Sequence, residues 1–160
     1  QHPAPETRGE VLKCLHRWVR HADVPLEPLM ASAPLRAALE ALGDPLLLEE
    51  AKSVVVVLLR RYKVHDMGGA WLGTVAPAVL RLEPLYARAV ENQDDETART
   101  LCILFTELAE TCLPLIVSPR DCGQDAMMRA VLACTAHPEF DVARIPHNFW
   151  LGLRSAVIDH

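Results

Sequence analysis

Apolar residues in this chain recur at helical spacing, and the pattern starts afresh several times between the two ends. Four segments carry an aromatic or aliphatic cluster in mid-helix: Cys14-Leu15-His16-Arg17-Trp18-Val19, residues 54–59, Ile103-Leu104-Phe105-Thr106-Glu107-Leu108, and Asn148-Phe149-Trp150-Leu151. Between them lie three further helical segments. A period of roughly 40 to 47 residues is the mark of HEAT and armadillo repeats, in which each unit is a helical hairpin.

The first hairpin is predicted over residues 7–43. Its opening helix, residues 7–21, places Val11, Leu15 and Trp18 on one face at i, i+4, i+7. Its partner, residues 27–42, stops at Gly43-Asp44-Pro45, where Gly can cap and Pro prevents continuation. The second hairpin, residues 45–93, opens with residues 46–62, whose Ala51, Val54, Val55, Leu58, Leu59 and Tyr62 follow the helical rule. The run Ser53-Val54-Val55-Val56-Val57 alone could be a strand, because β-branched residues favour one. The flanking Leu-Glu-Glu-Ala-Lys and Leu-Leu-Arg-Arg decide for helix. After a turn at Gly68-Gly69, a segment to about residue 92 carries Val75, Val79, Leu82 and Tyr86 on one stripe.

The acidic connector Asn92-Gln93-Asp94-Asp95 leads into a third hairpin, residues 96–137, with Leu101, Leu104, Phe105, Leu108, Cys112 and Leu115 on one face. Residues 139–160 read as half of a fourth, with Val142, Ile145, Phe149, Leu153 and Val157 inward. Prolines 34, 77, 84, 114 and 146 each imply a kink or a split, since a proline inside a helix costs on the order of 3 kcal/mol. The expected fold is all-α, an α-α superhelix of HEAT/ARM type with about three and a half antiparallel hairpins in a single segment, residues 1–160. Gln1 stands where an initiator Met would be, and the last hairpin lacks its partner helix, so an internal fragment is expected.

Composition agrees with this picture. Hydrophobic residues are 51% of the 160 and aromatics only 5%, a balance that suits many packed helices. The longest unbroken apolar stretch, residues 54–59, is far shorter than the roughly 20 residues that span a bilayer, so no membrane span is expected. The N-terminal residues have no basic segment followed by an apolar core, hence no signal peptide. Five cysteines without paired short spacings argue against a disulfide framework and for a reducing compartment. The net charge of −5 disfavours direct nucleic-acid binding and is compatible with basic protein partners.

Site chemistry is sparse. Cys122, Cys134 and His137 invite a test for zinc, but a strong signal needs two closely spaced ligand pairs and only Cys134-Thr-Ala-His137 is present. Cys14, His16 and His21 meet the same objection, and buried free thiols are the ordinary reading. Cys102, Cys112 and Cys134 sit on apolar stripes where a thiolate is disfavoured, so no nucleophile is expected. Gly68-Gly69 lacks the rest of a phosphate loop, and Glu49-Glu50 and Asp94-Asp95 read as solvated acids. Neither catalysis nor a cofactor is expected. In a helical-repeat array the second helix of each hairpin lines the concave side, which makes Glu27, Arg36, Glu40, Arg81, Glu83, Arg88 and Glu91 candidate partner contacts. Simple solvation of these charges stands beside that reading.

The string Leu104-Phe105-Thr106-Glu107-Leu108-Ala109-Glu110-Thr111 resembles the outer-helix run of the importin-β (karyopherin) nuclear transport receptors, in their transportin-SR and importin-thirteen branch. Leu132-Ala133-Cys134-Thr135-Ala136-His137-Pro138, then Phe140-Asp141-Val142-Ala143 and Asn148-Phe149-Trp150, are similar to further segments in the same order. Cys14-Leu15 with Trp18, and Leu82-Glu83-Pro84-Leu85-Tyr86, also sit where the family places them. His147, where the family has Phe, and the extra prolines are departures. The matched residues read as packing groups, with Glu107 and Glu110 placed to pair with cations on a neighbouring hairpin.

The resemblance implies a receptor segment that binds protein cargo and answers to the GTPase Ran, passes nucleoporins, and moves between nucleus and cytoplasm. A HEAT scaffold for protein complexes, without dependence on Ran, is the competing reading.

Overall fold

The computed structural model describes residues 4–62, 68–118 and 124–158. These residues form helices α1 (Pro5–His21), α2 (Leu26–Met30), α3 (Ala33–Ala41), α4 (Leu48–Arg61), α5 (Gly68–Leu80), α6 (Glu83–Glu91), α7 (Asp95–Thr111), α8 (Leu113–Ile116), α9 (Gln124–Thr135), α10 (Phe140–Ala143) and α11 (His147–Ile158). No strand occurs among the described residues. The fold is all-α and of helical-repeat type. Helices α1, α4, α7 and α10 begin at residues 5, 48, 95 and 140, steps of 43, 47 and 45. Those steps match the HEAT period and exceed the tetratricopeptide one of about 34. The chain divides into two compact units, residues 1–78 and 79–160.

In the first unit α1 lies against α4 and α3, and α3 against α4. Helix α1 starts on Pro5, whose missing N–H is no loss in a first turn, and ends on Arg20 and His21, whose charges suit the carbonyl end. Its buried face is Gly9, Leu12, Leu15 and Val19. That corrects the expected stripe. Leu15 is buried, but Val11 and Trp18 are each 50% exposed, because the contact with α4 is centred one position further along the helix. The valine run is helical, as its flanks required: Val54 and Val55 join Leu48, Ala51, Leu58 and Leu59 on the inner face of α4.

The ends of α1 and α4 are tied by polar groups. The Arg61 guanidinium donates from Nη1 to the carbonyls of Val19 (2.8 Å) and Arg20 (3.2 Å), using acceptors that the helix end leaves open. The half-buried Tyr62 hydroxyl donates to the Val24 carbonyl.

The helix expected over residues 27–42 is two helices. Ser32 caps α3, its Oγ accepting the Leu35 N–H at 3.3 Å, and Pro34 follows in the first turn, so the proline splits the segment. Pro84 and Pro114 act alike at the starts of α6 and α8. Pro77 is the exception, sitting exposed inside a continuous α5. Gly68-Gly69, read as a turn, instead open α5.

In the second unit α7 contacts α6, α8, α9, α10 and α11. It is buried around most of its circumference, through Ala98, Thr100, Leu101, Cys102, Leu104, Phe105, Thr106, Leu108 and Ala109. A tight turn delivers it. Gln93 takes φ 57°, the Gln93 N–H donates to the Val90 carbonyl (3.2 Å) and the Asp94 N–H to the Ala89 carbonyl (2.9 Å), the Schellman closure of a helix end. Asp94 then caps α7, Oδ1 accepting the Thr97 N–H at 3.1 Å, and the Thr97 hydrogen bonds hold its carboxyl below the usual range.

Ala109, Val131 and Phe149 form a core with Leu113, Ile116, Met128, Trp150 and Leu153 around it. A Cβ on Gly152 would lie 3.2 Å from Leu113 Cδ2, so the glycine lets α11 approach α8 closely. The segment 139–158 breaks into α10 and α11 just before and after the buried Pro146. Val142 and Phe149 are inward as expected, Ile145 and Leu153 are half-buried, and Val157 is 62% exposed, a further correction.

The revised face of α1 makes a test. Leu15→Ala removes a buried side chain and is expected to cost about 2–5 kcal/mol, whereas Trp18→Ala should cost under about 1 kcal/mol despite deleting more atoms. Urea unfolding of the two variants checks the ranking, and a larger loss for Trp18→Ala would restore the original stripe.

Candidate functional site

The seven charged positions singled out in the sequence fall in two groups. Glu27 on α2 and Arg36 and Glu40 on α3 belong to the first unit, and all three are exposed. Arg36 and Glu40 are four residues apart on one helix, so they share a face. Arg81, between α5 and α6, and Arg88 and Glu91 on α6 are exposed in the second unit, where Glu83 at the start of α6 is half-buried. Arg88 and Glu91, three apart, again share a face.

Glu40 has a setting that the sequence did not show. It borders a groove of about 400 Å³ lined also by Arg8, Val11, Leu12, Ala37, Ala41 and Leu47. Arg8 Nη1 stands 3.3 Å from Asp44 Oδ2, so the groove carries an apolar floor and a charged rim. A second cavity, of about 360 Å³, lies wholly within the second unit and is lined by Arg99, Asp141, Arg144, Ile145, His147 and Asn148. None of these six was among the candidate partner contacts. They come from α7, α10, α11 and the turn between the last two, so no local motif announces them. The repeat register does: Arg99 is the fifth residue of α7 and Arg144 stands at the same step from the start of α10.

Three of the thiols are packing groups. Cys102, Cys112 and Cys134 are buried and Cys14 is exposed, while Cys122 lies outside the described residues. Cys102 Sγ is 3.8 Å from the Val142 carbonyl. The hydrogen-bonded Cys102 thiol, together with burial, pushes the Cys134 thiol far up, and burial does the same to the Tyr86 phenol. Tyr86 donates to the Ala133 carbonyl at 3.3 Å and meets Phe105 edge-on, with ring centroids 6.0 Å apart.

His137 is also structural. Its Nδ1 accepts the Glu139 N–H at 3.0 Å, tying down the turn after Pro138, so the ring hydrogen sits on Nε2. That atom is buried without a hydrogen bond, 4.0 Å from Asp95 Oδ1. Half-buried His16 is held below its ordinary pKa by burial and by the charges of Arg20, His21 and Arg17. Among the described residues no three His, Cys, Asp or Glu side chains gather to hold a metal ion, and no helix is long and apolar enough to cross a membrane.

Comparison with known proteins adds to this geometry. Residues 93–160 match the family described as the Transportin-3/Importin-13 second TPR domain. The chain is similar to Transportin MOS14 of Arabidopsis thaliana, 27% identical over 93% of this chain. It is also similar to an uncharacterized protein of Schizosaccharomyces pombe, 31% identical over 97% of the chain, and to human Importin-13, 28% identical over 94%. The chain spans 16% of the length of each of these relatives.

The burial pattern predicts thiol reactivity. In a Cys122→Ser variant, an aromatic disulfide reagent should modify Cys14 within minutes and the other three thiols only after unfolding. Mass spectrometry of the native adduct checks this, and rapid labelling of Cys102 or Cys134 would contradict the packing described.

Proposed function

Because the chain belongs to the importin-β family of nuclear transport receptors, in the transportin-3 and importin-13 branch, we propose that it is a non-catalytic segment of a receptor that imports protein cargo into the nucleus under the control of RanGTP. The observation that carries the reading is the match to transportin and importin-13 along nearly all of the chain. In this reading the polypeptide shuttles between cytoplasm and nucleus, meets nucleoporins on the way, and uses neither cofactor nor direct nucleic-acid contact.

Cargo is held on the second helices of the hairpins by shape and charge. Glu27, Arg36 and Glu40 serve in one unit and Arg81, Glu83, Arg88 and Glu91 in the other. Their placement supports this: six are exposed, and they alternate in sign along short rigid helices, a pattern that selects partners more than it strengthens binding. A helical-repeat array also suits release. Each hairpin touches only its neighbours, so small shifts at many interfaces can sum to a large change in the surface presented to cargo.

The test uses the full receptor that contains this chain. Cargo captured on it should be released by GTP-loaded Ran and retained with GDP-loaded Ran. The paired reversals Arg36→Glu with Glu40→Arg, and Arg88→Glu with Glu91→Arg, should each weaken cargo capture by at least about fivefold while leaving the melting temperature unchanged. Cargo retention that ignores the Ran nucleotide would sink the transport reading and favour a scaffold.

A further inference from the structure

In a chain of net charge −5, basic side chains converge at one place in the second unit. Arg99 reaches the cavity from α7, Arg144 from the end of α10, and His147 from the first residue of α11. Arg144 is already engaged, its Nε standing 3.2 Å from Asp141 Oδ1. Arg99 is exposed and makes no ion pair or hydrogen bond among the described residues. Among the residues that line the cavity, two guanidiniums stand against one carboxylate, an excess of one positive charge. The Asn148 amide adds a neutral donor beside it, the His147 ring lines the same cavity, and Ile145 supplies an apolar wall.

We propose that this cavity docks a carboxylate side chain from an acidic segment of a partner protein. Arg99 takes the carboxylate in its planar fork, Asn148 donates a further hydrogen bond, and Ile145 packs against the methylenes that carry the acid. The charge count selects the occupant. A monoanion neutralises Arg99 and leaves the Arg144–Asp141 pair intact, whereas a phosphate dianion would bring excess negative charge beside Asp141. At about 360 Å³ the cavity has room for an acidic side chain with its adjoining backbone and is too small for a folded surface. The inference rests on the cavity alone and stands whether or not the chain carries cargo.

Fluorescence anisotropy of a labelled hexaglutamate peptide, titrated with this chain at low ionic strength, tests the proposal. Saturable binding is expected, weakened at least about fivefold by Arg99→Glu and also by the milder Arg99→Gln, but less than about twofold by Arg129→Glu on the exposed side of α9. Circular dichroism melts of each variant check that the fold is kept. A phosphoserine peptide and an oligothymidylate of matched length serve as competitors, and Asp141→Asn should improve binding of the phosphoserine peptide. Three results would overturn the proposal: absence of saturable binding, equal weakening by the Arg129 and Arg99 variants, or tighter binding of the phosphoserine peptide or the oligonucleotide than of hexaglutamate.

Discussion

A helix that is apolar around most of its circumference cannot stand alone in water, and α7 is such a helix. Between Ala98 and Ala109 only Arg99 is exposed; Ile103 and Glu107 are partly covered and every other residue is buried. Each fully buried leucine or phenylalanine there is worth about 1.5–3 kcal/mol relative to exposure, and nothing within α7 itself can supply the cover. Its neighbours α6, α8, α9, α10 and α11 supply it, so their placement follows from the need to close around α7. The turn at Asn92, Gln93 and Asp94 meets that need at one end, reversing the chain within three residues while satisfying the last carbonyls of α6 and the first N–H groups of α7.

Most of the architecture was legible because it depends on period and on chemical stops. The restart of the apolar pattern located α1, α4, α7 and the segment after His137, and proline located the starts of α3, α6 and α8 through a local effect, although α5 runs on through Pro77. Phase was less legible than period. A stripe through Val11, Leu15 and Trp18 and one through Leu12, Leu15 and Val19 are both helical, and choosing between them requires knowing where α4 lies. The tryptophan drew the stripe toward itself, yet it is half exposed. Residues 142–157 met the expectation only in part, for another reason: with Pro146 buried and α10 only one turn long, a single helical phase cannot run from Val142 to Val157.

The functional surface was legible as residue types and not as a site. Charged residues on α3 and α6 could be named because polar faces follow from apolar ones, but the groove beside Glu40 and the basic cavity arise from elements far apart in sequence. Arg99 and Arg144 illustrate the general case for repeat proteins, where side chains at equivalent places in successive repeats are brought side by side although no motif joins them. The strings that resemble the transport receptors are mostly packing residues, Phe105, Leu108, Phe149 and Cys134 among them. They identify a relationship through the core and leave recognition to the variable surface around it.

The claim that α7 organises its unit is tested most directly by native-state hydrogen exchange of the backbone amides. The amides of residues 101–109 should be the slowest among residues 79–158, exchanging only when the whole unit opens and tracking its unfolding free energy as denaturant is added. Amides of α7 that exchange as fast as those of the one-turn α10 would contradict the account.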